Sequence, residues 1–188
     1  MDETEKAILF ATIEEGGNAF PNAFQTAKVA KRSGVSEYVL YERYMSKAKL
    51  LYAADLYLSS FLFDYALQAA EADTSFSAFF ADLMLFQVRH PSWNGFWLNY
   101  SSIFPRVSLA QEEKEAIVPT PLLKALSKFF PKTAETNLAK AFRFLCRESI
   151  CFARYVIYSE VPGNEHRLLA ESQIVYGGLE AFKIPTKK

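Results

Sequence analysis

Cysteine and histidine are nearly absent from this 188-residue chain, at two residues each, and that scarcity narrows its chemistry. Cys146 and Cys151 lie five apart, which is neither a redox Cys-x-x-Cys spacing nor a zinc-ligand spacing. They read as two reduced core thiols, because a free cysteine packs as a small hydrophobe. With His90 and His166 as the only histidines, no His-Glu-x-x-His metal motif can form. A phosphate-cradling glycine loop and a nucleophile-elbow pattern are missing too. Glu112, Glu113 and Glu115 lie in a lysine-containing polar stretch and read as a solvated face. No pattern selects an enzyme, a cofactor or a metal.

Glycine and proline are also few, at seven and eight, and no low-complexity segment or fixed-period repeat is visible. The apolar stretches are interrupted by residues such as Asp64 and Asp82, well short of the ~20 needed to span a membrane. The opening Met-Asp-Glu-Thr-Glu-Lys is acidic and polar, unlike a secretory signal. A cytoplasmic protein is expected. Net charge is lacking as well, with 21 cations against 21 carboxylates, so the chain is not coated for indiscriminate nucleic-acid binding.

What is abundant is apolar and aromatic mass: 51% of residues are hydrophobic, with 17 Phe and 10 Tyr, enough for a sizeable core. The periodicity predicts an all-α chain of about nine helices. A first helix covers 3–15, stopped by Gly16-Gly17, and a loop at 18–24 holds Pro21. Helices follow near 25–32, 36–43 and 47–71, then 75–90, 92–103, 108–130, 134–160 and 164–183. The aromatic-rich stretch 152–158 leaves a choice between helix and strand. Pro91 suits a helix start, and Pro105, Pro119 and Pro121 mark breaks.

Residues 29–51 carry the strongest local pattern, two short helices joined by a tight turn and running into a longer helix. Ala30 supplies a small contact, Gly34 a residue free to take positive φ, and Val29, Val35 and Leu40 apolar anchors. Ser36 stands where an N-cap is needed. In such helix-turn-helix motifs the second helix enters the major groove of DNA. The charge agrees: between 24 and 50, Lys28, Lys31, Arg32, Arg43, Lys47 and Lys49 face only Glu37 and Glu42, a local surplus of four positive charges.

Several of these residues together resemble the DNA-binding head of the tetracycline-repressor (TetR) family. They are Val29-Ala30, Ser33-Gly34-Val35-Ser36, Leu40-Tyr41, Tyr44, Ser46-Lys47 and Leu50-Leu51. The resemblance implies a three-helix head over residues 1–50 and a larger helical ligand-binding and dimerisation body over 51–188. It implies a ligand-responsive homodimer, a repressor in the simplest case, on a pseudo-palindromic operator. Tyr41 and Lys47 match the family's phosphate contacts; the bland alternatives are a ring wedged between helices and a solvated cation. The candidate duplex-contacting set is Lys28, Ser36, Glu37, Tyr38, Val39, Tyr41, Arg43 and Lys47.

There are departures. Glu37, Tyr38 and Val39 stand where basic or polar, Gly and Thr residues are usual, and Glu42 replaces a frequently basic residue. A carboxylate is repelled by phosphate yet accepts from a cytosine amino group, and Tyr38 or Val39 can pack on a thymine methyl. Two readings therefore stand: an unusual operator, or a TetR-like interaction module whose DNA binding is weakened or lost. The 17–24 loop is about three residues longer than usual, with Phe20 and Phe24 expected to fold under the head.

In the body, Phe86, His90, Trp93, Trp97, Tyr100 and Phe104 form an aromatic group around Pro91. They are either ordinary core or the wall of a pocket for an apolar or aromatic small molecule. The last two helices carry apolar residues on more than one face; a partner copy is a natural cover, and complete burial within one body is the alternative. The candidate dimer contacts are Leu138, Phe142, Leu145, Leu168, Val175 and Leu179.

Overall fold

A computed structural model describes residues 1–73, 75–100, 118–158 and 170. Among them are eight α-helices and no strand. They are α1 Glu3–Asn18, α2 Thr26–Ser33, α3 Glu37–Tyr44, α4 Lys47–Ala72, α5 Phe76–Arg89, α6 Pro91–Tyr100, α7 Thr120–Leu126 and α8 Glu135–Tyr158. The stretch 152–158 is helical, which settles its ambiguity. The expected helix over 108–130 is reduced, among the described residues, to α7: Pro119 caps it, and it stops at Leu126. The expected final helix over 164–183 lies outside the described residues apart from Ala170.

Two compact units form, one of Met1–Phe61 with His90–Ile117, the other of Leu62–Arg89 with Val118–Lys188. The boundary falls within α4, which is one unbroken helix.

In the first unit, Asp2 caps α1 by accepting from the Glu5 N–H at 2.6 Å. Ile8, Leu9 and Ile13 of α1 are buried, as are Val29, Ala30 and Leu40 of the next two helices and Leu50, Leu51, Ala54 and Leu58 of α4. Gly16-Gly17 does not stop α1, which continues to Asn18. The glycines serve contact instead. A Cβ on Gly17 would fall on the Ser92 carbonyl, one on Gly95 would lie 2.5 Å from the Gly17 carbonyl oxygen, and one on Gly16 2.6 Å from the Phe96 ring. The backbones of α1 and α6 thus meet where neither has a side chain. Polar bonds stitch the same seam: Ser92 Oγ donates to Glu14 at 2.7 Å, and Asn99 Nδ2 donates to the carbonyls of Gly16 and Ala19 at 2.9 and 3.2 Å.

The second unit is packed by phenylalanines. Phe79 stacks on Phe129 at 5.2 Å, Phe76 meets Phe130 edge-on at 5.5 Å, and Phe63 meets Phe142 at 5.9 Å. In α8 the buried residues are Leu138, Phe142, Leu145, Ser149, Ala153 and Val156, steps of three or four that make a single stripe. Its other side exposes Phe144, Cys151, Tyr155 and Tyr158, so apolar residues lie on more than one face of this helix.

Candidate nucleic-acid interface

The turn between α2 and α3 is built as its residues dictate. Gly34 adopts φ 72°, closing α2 in the left-handed conformation, and the N–H groups of Gly34 and Val35 both reach the Ala30 carbonyl. Nothing lies within 4 Å of where its Cβ would be, so the demand for glycine here is conformational and not steric. Ser36 then takes extended dihedrals, and its Oγ accepts from the Val39 N–H at 3.3 Å, capping α3. Ser46 repeats the device for α4, accepting from the Lys49 N–H at 3.2 Å.

Only Leu40 of α3 is buried. The outward stripe is Glu37, Tyr38, Tyr41 and Glu42, all exposed, with Tyr38 at 73% and Tyr41 at 51% of full accessibility. Val39 is half-buried. A helix that buries Leu40 and leaves this stripe open to solvent has the form needed to enter a groove.

The charges are less open than the sequence suggests. Lys28 pairs with the buried Glu15 at 3.4 Å. Arg43 pairs with Asp2 at 3.2 Å. Lys47 donates to the carbonyls of Pro21 and Phe24 at 3.0 and 3.4 Å and lies 4.8 Å above the Phe24 ring. Partial burial of that ammonium lowers its pKa. Glu37 accepts from Thr26 Oγ1 at 3.0 Å, and Thr26 is 3.5 Å from the Tyr41 hydroxyl. Its carboxylate thereby lies beside the first residue of α2, whose N-terminus has no side-chain cap. Lys31 and Arg32, absent from the candidate set, are exposed and make no ion pair among the described residues. Their position in the last turn of α2 was visible in the sequence, but their freedom depends on where Glu15 and Asp2 fold.

Phe24 is buried as expected, edge-on to Tyr100 at 6.1 Å. Phe20 is not: it is 76% exposed.

No family model matches this sequence, and no curated protein matches it. Solved structures do. A TetR family transcription regulator from Marinobacter aquaeolei VT8 superimposes with a TM-score of 0.62 at 16% identity, over 93% of this chain and 94% of that one. A protein from Rhodococcus sp. described as a TetR-family transcriptional regulator gives 0.63 at 15%, over 93% and 99%. A TetR-like transcriptional regulator from Rhodococcus sp. RHA1 gives 0.57 at 16%, over 93% and 96%. The chain has a TetR-like fold.

Within this TetR-like fold the body residues are distributed as follows. Trp97 and Tyr100 are buried in the first unit, and Trp97 Nε1 donates to Asp55 at 3.0 Å. Burial raises the Asp55 pKa to about 6, with the indole N–H opposing the shift. Trp93 is half-buried among Phe10, Phe61 and His90, the last stacked on it at 4.2 Å. Phe86 belongs to the second unit, against Tyr65 at 4.8 Å, and Phe104 lies outside the described residues. An open surface depression of about 300 Å³ lies elsewhere, along Cys151, Arg154, Tyr155 and Tyr158. Leu138, Phe142 and Leu145 are covered by their own chain, whereas Leu168, Val175 and Leu179 lie outside the described residues. Cys146 is half-buried, with burial raising its thiol pKa, but Cys151 is exposed and is not a core residue.

Proposed function

We propose that this chain is a DNA-binding transcription regulator acting as a homodimer, with a head over 1–50 that reads DNA and a body over 51–188 that pairs and takes an effector. The observation that carries the reading is α3, capped by Ser36, with Leu40 its one fully buried residue and open along Glu37, Tyr38, Tyr41 and Glu42. The TetR-like fold supports it, since the proteins sharing that fold are described as transcription regulators. Two copies would place two such helices in successive major grooves of a pseudo-palindrome. A small apolar or aromatic effector would repress or release binding by favouring one of two conformations. Turnover is not part of this reading.

Selection of bound fragments from random duplexes, followed by mobility shifts, tests it. The wild type is expected to enrich a two-fold-related site, and Tyr38→Ala to lose ~1–3 kcal/mol of discrimination at one position per half-site. Absence of any enriched sequence at low salt would end the proposal.

A second reading, an interaction module without operator binding, is favoured by the two outward carboxylates and by the engagement of Lys28, Arg43 and Lys47 within the head. It expects duplex binding only after Glu37→Lys, Tyr38→Gly and Val39→Thr are combined.

A further inference from the structure

The only cation on α3 is Arg43, and it is not free. Its guanidinium is held by a carboxylate 41 residues earlier in the chain, with Nη1 donating to Asp2 Oδ2 at 3.2 Å and to Oδ1 at 3.5 Å. Asp2 already has a local task as the N-cap of α1. One side chain thus starts the first helix and offsets the single cation of α3. The Glu5 N–H and the Arg43 guanidinium both favour its ionised form and hold its pKa below the usual carboxylate value.

The geometry points to Asp2 as a positioning residue that sets the affinity of the head for DNA by withholding Arg43 from the phosphate backbone. This rests on the duplex-binding reading above. A phosphate approaching α3 meets a guanidinium already partnered and a carboxylate beside it that repels the newcomer. Binding requires Arg43 to exchange one anion for another, so the contact yields less affinity and releases less counterion than a free arginine would. Both groups are partly solvated, which makes the exchange easy to reverse and the pair a modulator of binding.

The test uses the full chain with any purification tag at the far end and a labelled 30-bp duplex of mixed sequence as probe. Titrations run from 50 to 200 mM salt on wild type, Asp2→Asn, Arg43→Gln and the double variant. Asparagine caps as well as aspartate, so α1 keeps its start, which equal thermal midpoints verify. Asp2→Asn is expected to bind ~3–10-fold tighter at 50 mM, with a salt slope steeper by about one. The gain is expected to vanish when Arg43→Gln is added. Equal affinity of wild type and Asp2→Asn, with both binding, would overturn this inference and leave the duplex reading standing. A gain that survives Arg43→Gln would overturn the route through Arg43. Failure of every variant to bind at 50 mM would remove both.

Discussion

Asp55 shows how much one buried group can couple this protein to pH. Its carboxyl has a pKa of about 6 against an ordinary 3.8, so between those values the folded chain holds a proton that the unfolded chain has released. Stability from this group is therefore greatest at acid pH and declines as pH rises from about 4 to 6, by roughly 3 kcal/mol, after which it is flat. Asp55→Asn keeps an acceptor for Trp97 and removes the buried charge. It is expected to raise the melting temperature at pH 7.5 by several degrees and to cancel the wild type's decline between pH 4 and 6. Thermal melts of the two proteins across pH 4–8 check this, and no difference between them at pH 7.5 would contradict it. Gly34 teaches a different lesson. Its φ of 72° with open space around it predicts a loss of about 1 kcal/mol for Gly34→Ala, all of it backbone strain.

Gly17 behaves oppositely because it belongs to an element contact. In an isolated helix Gly→Ala would stabilise by about 1 kcal/mol. Here the added carbon lands on the backbone of α6 at Ser92, so Gly17→Ala is expected to destabilise by ~3 kcal/mol. Denaturant midpoints with unchanged slope decide between the two signs. The same pair of glycines explains what the sequence could and could not reveal. Residue-local signals were legible: the Gly34 turn, the Ser36 and Ser46 caps, and the start of α6 at Pro91 all follow from side chains acting within a few positions. Gly16-Gly17 was misleading because its purpose is a contact with Gly95, some eighty positions away, and a glycine pair looks the same whether it ends a helix or lets another helix touch it. The candidate interface divides similarly. That α3 faces outward could be read from its place as the second helix of a helix-turn-helix, with Leu40 as its apolar anchor. That Arg43, Lys28 and Lys47 are engaged by Asp2, Glu15 and two loop carbonyls could not, since each partner comes from another element. Lys31 and Arg32 gain importance as a result, and replacing either with Ala is expected to lower duplex affinity evenly across sequences and reduce the salt slope by about one.

For the molecule as a whole, α8 carries two faces with different fates. Its apolar stripe is buried, and among the described residues the side with Phe144, Cys151, Tyr155 and Tyr158 is exposed; a second copy in the dimer proposed above is expected to cover it. On that proposal the contact would use residues of that helix other than Leu138, Phe142 and Leu145, which are buried within the chain. Tyr155→Glu combined with Tyr158→Glu is expected to shift sedimentation toward the monomer while the fold, read by circular dichroism, is kept. Unchanged sedimentation would argue against this side as the contact.

The unequal placement of the two sulfur atoms supplies a built-in reporter. Cys146 is half-buried with its thiol pKa raised, whereas Cys151 is exposed, so a maleimide dye is expected to enter first at Cys151, on the outer side of α8. If copies meet there, dye uptake will slow as the protein is concentrated, and the speed of alkylation becomes a gauge of assembly that needs no engineering at all.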